Sequence, residues 1–443
     1  MVASPLRTSW WYRVAVATAA RAARLGARFD DKLARGLARR RGLTQRYAAW
    51  AAAHRDARRP LVWFHAPSVG EGLQAKPVLE ALRAERPEWQ LAYTFFSPSA
   101  ERLARALPVD FTDYLPLDRL PDVRVALETL APTALVYAKL DVWPELTLAA
   151  AARGTRLGLI SATVAPRSSR LAWPVRTWAI PAYAALDRIG AIGAEDAARL
   201  ERLGARREAI TVTGDTRYDS VAERAERLDR SCEPLAALAT GDPDTFTIVA
   251  GSTWPADEAV VLPAFAELAA RGEAKSTRLI VAPHEPSTAH LAAVDVMARR
   301  CGLPRPVRLS QIVATPAERV MVILVDRVGV LADLYAVGQA AYVGGGYHRA
   351  GLHSVLEPAV FGLPVCVGPR WTMSRDAGLL LQRGAAVALP ADGRRALENQ
   401  WVSWWRDPAA RALAGAAAAA VVREGRGAAA RTAALVRALV DRD

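Results

Sequence analysis

The first motif that could do chemistry is a carboxylate placed directly after an apolar run. The apolar run 61–65 ends at His65, the first residue of the motif His65-Ala-Pro-Ser-Val-Gly-Glu-Gly72. This motif puts Ser68, Gly70 and Glu71 in a loop and the first turn of a helix. Such a carboxylate could be a general base that removes a proton from an attacking hydroxyl group. It could equally be a favourable partner of the helix dipole and nothing more. The spacing alone leaves both interpretations open.

Three charged residues follow other apolar runs in the same half of the chain. Lys139 and Asp141 lie in Tyr137-Ala-Lys-Leu-Asp-Val-Trp-Pro-Glu145, and Arg217 lies in Gly214-Asp-Thr-Arg-Tyr-Asp219. A cation at such a position could neutralise a sugar carboxylate or a leaving phosphate. The alternative is that Lys139 and Arg217 form ordinary surface ion pairs.

A glycine-rich stretch from Ala341 to Pro369 predicts a buried strand, a turn, a helix that carries Glu357 and a second buried strand. Gly344, Gly345 and Gly346 would let the backbone approach a ligand where a Cβ atom would clash. The amides at the start of the following helix favour a phosphate, and Glu357 could bind ribose hydroxyls. The stretch is not a dinucleotide fingerprint, because the third glycine is missing and no acidic residue closes the next strand.

Further candidates follow other apolar runs of the second half. Ser252 and Thr253 offer hydroxyls to a phosphate, and His284 could bind a base or phosphate or could cap a helix. His353 lies four residues before Glu357, so the two would share one face of a helix. No third ligand accompanies that pair, so no metal site is predicted.

Strands and helices that alternate along the chain must position these residues. Alternation begins at Pro60, and a second series begins at Phe246 after a charged, proline-bearing stretch. This pattern is typical of a parallel sheet with helices on both faces, and the length suits two domains of roughly 150–200 residues. We therefore expect an α/β protein of two doubly wound, Rossmann-like domains that face a central cleft, with ligands at the carboxyl ends of the strands. The expected boundaries are 1–59, a basic amphipathic segment; 60–235, the first domain; 236–405, the second domain; and 406–443, a helical tail.

The net charge of +13 is concentrated at the amino terminus. Residues 1–60 contain fourteen Arg and Lys against three Asp, which is a net +11. A near-neutral body argues against nucleic-acid binding. The segment has no apolar run long enough to span a membrane and no signal-peptide pattern. It either lies on an anionic membrane surface as a basic amphipathic helix or packs its apolar stripe on the body. The three scattered cysteines indicate a reducing compartment.

Seven motifs together resemble those of the 3-deoxy-D-manno-octulosonic acid (Kdo) transferases, which attach Kdo to lipid A precursors. They are HAPSVGEG, AKLDVWPE, GDTRYD, GSTWPADE, APHEPS, DRVGVLADLY and YVGGGYHRAGLHSVLEPAVFGLPV. The resemblance covers about residues 60–390 and implies a GT-B fold, a CMP-Kdo donor in the second domain and a lipid A precursor in the first.

The resemblance also implies roles for particular residues. Glu71 matches the proton acceptor, and Asp141 and Arg217 match residues that support the transition state. Inversion at the sugar carbon, no bound metal, and a peripheral or monotopic place on the cytoplasmic face of the inner membrane are implied as well. The positions that match those holding CMP are Pro283, His284, Val328, Gly329, Val330, Ser354, Val355, Leu356 and Glu357.

The chain departs from the family pattern at several of these positions. Asp141 stands where many members have glutamate, and Arg217 where many have lysine. Leu352, Ser354 and Val355 stand where glycine, asparagine and proline are frequent. Two alternatives therefore stay open: a GT-B enzyme that uses another nucleotide sugar on a membrane acceptor, and a non-catalytic basic protein that binds membranes or nucleic acid.

Overall fold

The computed structural model describes residues 8–26, 30–239, 245–271, 277–314 and 320–441. They form two compact units. The first comprises the described residues up to Ser220 together with those from Gly425, and the second runs from Val221 to Glu424.

The first unit is built on a seven-stranded sheet in which every pairing is parallel, with the order β3-β2-β1-β4-β5-β6-β7. Its central strands are buried along their whole length, as expected of a parallel sheet covered on both faces. Its strands are β1 Leu61–His65, β2 Gln90–Phe95, β3 Phe111–Tyr114, β4 Ala134–Ala138, β5 Arg156–Ala162, β6 Arg188–Ala191 and β7 Ile210–Val212.

Helices alternate with these strands and also precede and follow them. The helices are α1 Trp10–Gly26, α2 Asp31–Arg39, α3 Leu43–His54, α4 Val69–Glu85, α5 Glu101–Arg105, α6 Leu120–Leu130, α7 Pro144–Ala151, α8 Val175–Ala184 and α9 Ala194–Arg202. The chain passes into the second unit within α10, Arg217–Glu226, and returns for the last helix, α19, Ala428–Val440.

The second unit contains another seven-stranded parallel sheet, with the order β10-β11-β9-β8-β12-β13-β14. Its strands are β8 Phe246–Thr253, β9 Thr277–Pro283, β10 Val307–Arg308, β11 Val322–Leu324, β12 Ala340–Val343, β13 Val365–Val367 and β14 Ala386–Ala388. Its helices are α11 Leu235–Ala239, α12 Pro255–Ala270, α13 Thr288–Arg300, α14 Leu331–Leu334, α15 Leu356–Val360, α16 Arg375–Gln382, α17 Arg394–Arg406 and α18 Pro408–Gly425.

The expected fold class is confirmed: each unit is a doubly wound parallel α/β sheet. The unit boundaries differ from those expected, because the first unit ends at Ser220 and the expected tail is divided between both units. The last helix joins the first unit through apolar packing. Leu439 occupies the space left by the missing side chain of Gly158, whose added Cβ would lie 2.6 Å from Leu439 Cδ1.

The amino-terminal segment is not one separate appendage. Tyr47 of α3 is buried in the core of the first unit, and its hydroxyl donates a hydrogen bond to the Tyr114 carbonyl at 2.9 Å. Helix α1 is docked by Arg13, whose guanidinium donates twice to Glu145 at 2.9 Å. Trp10 and Trp11 of the same helix stack on each other and are each 60% exposed. Within the described ranges, no helix is long and apolar enough to cross a membrane.

Candidate functional site

Glu71 lies in the first turn of α4, at the carboxyl end of β1. Lys139 Nζ donates to Glu71 Oε1 at 3.1 Å, and the Ser68 hydroxyl donates to Oε2. Burial raises the pKa of Glu71, but the hydrogen bond from Ser68 and the charge of Lys139 outweigh it, so the pKa lies below its ordinary value. Glu71 is therefore an ionised carboxylate at neutral pH.

The contacts of Ser68 distinguish between the two interpretations of Glu71. The spacing Ser-x-x-Glu is that of a capping box, in which each side chain bonds the backbone of the other residue. Here Ser68 is the N-cap of α4 but makes no side-chain bond to the helix backbone. Its hydroxyl bonds the Glu71 carboxylate instead. Gly70 lies between them, and a Cβ added there would meet only Ser68 Oγ, at 3.9 Å. Ser68 therefore orients the Glu71 carboxylate instead of capping the helix.

Lys139 reaches Glu71 from an unusual backbone conformation. It is the first residue after β4, and its φ is +65°. Non-glycine residues in this region cost on the order of 1–3 kcal/mol and concentrate at functional sites. The left-handed turn directs the ammonium group to the neighbouring strand end, so the ion pair foreseen as an alternative for Lys139 is formed with the candidate base itself.

Asp141 anchors the same loop. Its carboxylate accepts a hydrogen bond from Trp143 Nε1 at 2.9 Å and lies 3.3 Å from His65 Nε2 and 3.6 Å from the Arg170 guanidinium. Burial raises the pKa of Asp141, but His65, Trp143 and Arg170 together hold it below its ordinary value. Asp141 therefore fixes the loop that presents Lys139. Both His65 and Trp143 belong to the sequence motifs, but their spacing in the chain does not indicate a contact with Asp141.

Arg217 forms an ion pair with Asp215, as the surface-pair interpretation proposed. Its Nε and Nη2 donate to Asp215 Oδ2 at 2.9 and 2.6 Å. The next residue before it, Thr216, donates to the Gln74 carbonyl of α4 at 2.7 Å. Arg217 is thereby tied to the helix that carries Glu71, while 39% of its side chain stays exposed.

In the second unit, the glycine-rich turn follows β12, but its glycines face protein rather than open space. A Cβ on Gly344 would lie 2.2 Å from the Ser252 carbonyl oxygen, and one on Gly345 would lie 2.1 Å from that of Gly351. A Cβ on Gly346 would lie 2.5 Å from the backbone nitrogen of Gly368. The expectation that these glycines make room for a ligand is therefore corrected: they let backbone pack on backbone.

Asp257 organises this turn, and sequence reasoning missed it. Its buried carboxylate accepts hydrogen bonds from the amides of Trp254 at 3.0 Å, Gly345 at 2.8 Å and Tyr347 at 3.3 Å. It also accepts one from the Tyr342 hydroxyl at 2.8 Å. One carboxylate thus joins the start of α12 to the glycine-rich turn.

Four rings gather where β8, β9 and β12 end. Trp254 stacks with His348 at 3.9 Å and with His284 at 4.8 Å between ring centroids, and His284 lies 4.5 Å from His353. Trp254 Nε1 donates to His353 Nε2 at 3.1 Å. Burial, helped by the neighbouring imidazoles, lowers the pKa of His353 and keeps it neutral. His284 does not cap α13, because Ser287 does.

The expectation that His353 and Glu357 share a helix face is wrong. Helix α15 begins at Leu356, and His353 lies before it, with its amide bonded to the Gly344 carbonyl at 3.1 Å. Pro358 explains the late start: in a longer helix its ring would clash with the carbonyl of Ser354.

Glu357 lies in the first turn of α15 and is largely buried. Burial raises its pKa; Arg224 lowers it and Asp333 raises it. Arg224 itself donates to Asp333 at 2.8 Å and to the Gly329 carbonyl at 3.1 Å. Across the described part of the chain, no side chain or amide hydrogen-bonds the Glu357 carboxylate, which leaves it available to a ligand's hydroxyls.

The remaining candidates of the second unit differ in what they present. Thr253 Oγ1 donates to Glu258 at 2.9 Å, so its hydroxyl is already used, whereas Ser252 stays partly exposed at φ +53°. Val328 is 72% exposed. Gly329 and Ser354 are also exposed and Val330 is half-buried, whereas Pro283, Val355 and Leu356 are buried. Among the residues the structure describes, His, Cys, Asp and Glu form no group of three that could hold a metal ion.

Comparison with known proteins gives one consistent result. Residues 35–220 match the family model for 3-deoxy-D-manno-octulosonic-acid transferase (kdotransferase). The chain is 32% identical over 352 residues to the 3-deoxy-D-manno-octulosonic acid transferase of Bordetella pertussis, covering 76% of this chain and 78% of that protein. The corresponding protein of Chlamydophila psittaci is 28% identical over 337 residues, which is 74% of each chain.

Two solved structures show the same fold. A glycosyltransferase from Rickettsia africae has a TM-score of 0.59 at 9% identity, covering 87% of this chain and all of that one. A UDP-GlcNAc 2-epimerase from Neisseria meningitidis has a TM-score of 0.57 at 13% identity, covering 81% and 94%. At these identities the likeness concerns only the fold, the two-domain α/β fold of the GT-B class.

Proposed function

The chain belongs to the Kdo transferase family of glycosyltransferases, and from this premise we propose that it transfers Kdo from CMP-Kdo to a hydroxyl of a lipid A precursor, with inversion at the sugar carbon. The observation that carries the proposal is the half-buried, ionised carboxylate of Glu71, held by Ser68 and Lys139 at the carboxyl end of β1. Membership of an enzyme family removes the non-catalytic alternative.

The proposed reaction is a single displacement. The oxygen of an acceptor hydroxyl forms a bond to the anomeric carbon of Kdo, and the bond from that carbon to the CMP phosphate oxygen breaks with its electron pair. Glu71 takes the proton of the attacking hydroxyl, as a general base. Attack on the face opposite the leaving CMP inverts the configuration.

Negative charge grows on the phosphate as CMP leaves, and fixed cations stabilise such charge. We assign this role to Arg217, whose guanidinium is oriented by Asp215 and partly exposed. Lys139 contributes a second positive charge beside the base. Asp141 acts through the loop, by holding Lys139 in place. Since charge stabilisation comes from side chains, the proposal includes no metal ion.

Binding of CMP-Kdo is assigned to strand ends of the second unit. The Glu357 carboxylate suits ribose hydroxyls; burial raises its pKa, and the nearby Arg224 guanidinium offsets part of that rise. His284 is exposed and stacked on Trp254, so it can contact a base or phosphate. Ser252 offers a partly exposed hydroxyl beside the glycine-rich turn.

We also propose that the protein works on the cytoplasmic face of the inner membrane, in lipopolysaccharide biosynthesis. A docked basic helix that exposes a tryptophan pair suits an anionic lipid surface, since tryptophan partitions to the interface and arginine binds anionic headgroups.

Nucleotide binding tests the donor directly. Thermal unfolding of the purified protein is measured with CMP, UMP or UDP. CMP should raise the melting temperature most, and Glu357→Gln should reduce that shift while Glu267→Gln, an exposed substitution on α12, should not. Stabilisation by UDP alone would support the other nucleotide-sugar hypothesis instead. NMR of the product sugar determines whether the configuration is inverted.

A further inference from the structure

A groove of about 820 Å³ lies in the first unit, between α2, the start of α3 and the segment Pro116–Asp122. None of the residues that line this groove belongs to the Glu71 site. Apolar side chains cover most of its wall, and arginines stand among them. The residues that define its character are Leu37, Leu43, Pro116, Leu117, Arg41 and Arg119.

Hydrogen bonds connect one lining residue of the groove with the loop before Glu71. Arg40 lines the groove and donates to the carbonyls of Leu115 at 3.1 Å and Phe96 at 3.0 Å. The amide of Phe96 in turn donates to the Pro67 carbonyl at 3.1 Å, and Pro67 directly precedes Ser68. Two hydrogen bonds therefore connect the groove residue Arg40 with Pro67, the neighbour of the Ser68 that bonds Glu71.

The groove segment Pro116–Asp122 is also bonded to the docked helix α1. Asp118 lies between the groove residues Leu117 and Arg119, and its carboxylate accepts a hydrogen bond from the Tyr12 hydroxyl at 2.5 Å. Tyr12 follows the exposed pair Trp10 and Trp11 in the same helix. Hydrogen bonds thus connect the groove both with the helix that exposes this tryptophan pair and with the loop before the candidate proton acceptor.

The charges of the groove are complementary to an anion. Arg41 is exposed, and within the described residues no hydrogen bond or ion pair involves its guanidinium. Arg119 is paired with Asp122 at 2.6 Å. The groove is therefore lined by three arginines, Arg40, Arg41 and Arg119, and by one acidic residue, Asp122. Apolar walls with an uncompensated cation suit an amphiphile that carries both hydrocarbon and phosphate.

We propose that this groove binds the acylated, phosphorylated part of the glycolipid acceptor and thereby places its sugar hydroxyl at Glu71. This inference rests on the proposed function, because it assigns a place to that reaction's acceptor. The groove accounts for selection of a lipid acceptor over a soluble sugar of the same structure, through the apolar contacts and the charge of Arg41.

The test compares two acceptors, a tetraacylated bisphosphorylated lipid A precursor in detergent and its fully deacylated, dephosphorylated disaccharide. Leu117→Asp and Arg41→Glu should each raise KM for the lipid roughly ten-fold or more, since a lost leucine contact or ion pair is worth about one power of ten in affinity. KM for CMP-Kdo and the rate with the disaccharide should stay within about two-fold of wild type, as should the rates of Arg207→Glu, a matched change at an exposed arginine of the same unit.

Unchanged KM for the lipid in both variants would overturn the inference while leaving the proposed function intact, and so would an equal loss with both acceptors. Absence of transfer by the wild type would instead overturn the proposed function. Binding of the same lipid, measured by polarisation of a fluorescent derivative, then tests separately whether the groove binds the acceptor. Weaker binding by Leu117→Asp than by Arg207→Glu supports the inference, and equal binding refutes it.

Discussion

Lys139 Nζ lies 3.1 Å from Glu71 Oε1, so the candidate proton acceptor is paired with a cation before any substrate is present. The pairing keeps a largely buried carboxylate ionised, because burial alone would raise its pKa. It also leaves the second carboxylate oxygen with a hydroxyl donor, Ser68. An acceptor hydroxyl that replaces either donor meets a charged oxygen that is ready to take its proton.

Removal of the Lys139 charge should change the pH dependence of turnover. Glu71 must be ionised to act as the base, so the wild-type rate should fall only as the pH drops below the ordinary carboxyl value of 4.5. In Lys139→Met the charge and the hydrogen bond of Lys139, which both lower the pKa of Glu71, are lost while Ser68 remains, so the acid limb of the kcat profile should move to higher pH. Lys76→Met removes a surface lysine of α4, paired with Glu80 at 3.2 Å, and should leave the profile unmoved. An acid limb at the same pH in Lys139→Met would refute the assigned pairing.

The Asp257 carboxylate should be essential to the glycine-rich turn. Asp257→Asn places an amide that cannot accept from all four donors, and each buried donor left without an acceptor costs on the order of 1–3 kcal/mol. We expect a lower free energy of unfolding in urea and weaker CMP binding. Tyr342→Phe removes only one of the four donors and should cost about 1 kcal/mol. Equal effects of the two substitutions would contradict the role of Asp257.

Substitution of Gly345 and of Gly384 by alanine compares the cost of backbone strain with the cost of a steric clash. Gly345 and Gly384 both have positive φ, +92° and +67°, but only Gly345 has a backbone oxygen, at 2.1 Å, where a Cβ would stand. Gly384→Ala should cost about 1–2 kcal/mol through its left-handed conformation. Gly345→Ala should cost clearly more, because the Gly351 segment must move. The comparison requires only urea unfolding curves, and similar losses would show that the turn can relax.

The sequence predicts the fold class and most strand ends, because apolar runs and turn residues are local signals. It also predicts the position of Glu71 in the first turn of a helix, of Lys139 after a strand and of Glu357 on a helix, where the structure has them. It does not predict that Lys139 pairs with Glu71, since 68 residues separate the two in the chain. The sequence does not predict β3, β10 and β14, because these edge strands are only partly buried and lack the continuous buried run of the central strands.

Two errors have identifiable physical causes. The glycines were interpreted as space for a ligand, but a sequence signals only that something comes close, which here is the backbone at Ser252 and Gly351. Asp257 was overlooked because an acidic residue in the first turn of a helix is ordinary. Its partner Gly345 lies 88 residues away. The placement of His353 on a helix could have been avoided, because Pro358 limits how early that helix can begin.

The exposed tryptophan pair of helix α1 leads to a prediction for membrane binding. Replacement of Trp10 and Trp11 by serine should reduce sedimentation with phosphatidylglycerol-containing vesicles roughly ten-fold or more, since two exposed aromatic side chains are lost. Leu413→Ser, at a side chain that is 75% exposed in the second unit, is the control. Deletion of residues 1–45 is unsuitable, because it removes the buried Leu43 of the first unit's core. Undiminished vesicle binding by the double variant would reject the assignment.

The central claim is that Glu71 accepts the proton in Kdo transfer, and mass spectrometry of the lipid product tests it most directly. The purified protein is incubated with CMP-Kdo and a tetraacylated lipid A precursor, beside Glu71→Gln and Glu80→Gln, a change at a half-buried glutamate on the same helix that pairs with Lys76. We expect wild type and Glu80→Gln to add one or more Kdo residues, and Glu71→Gln to do so at least about 10²-fold more slowly while still being stabilised by CMP. Near-normal transfer by Glu71→Gln, or a lipid that wild type leaves unmodified, would contradict the account.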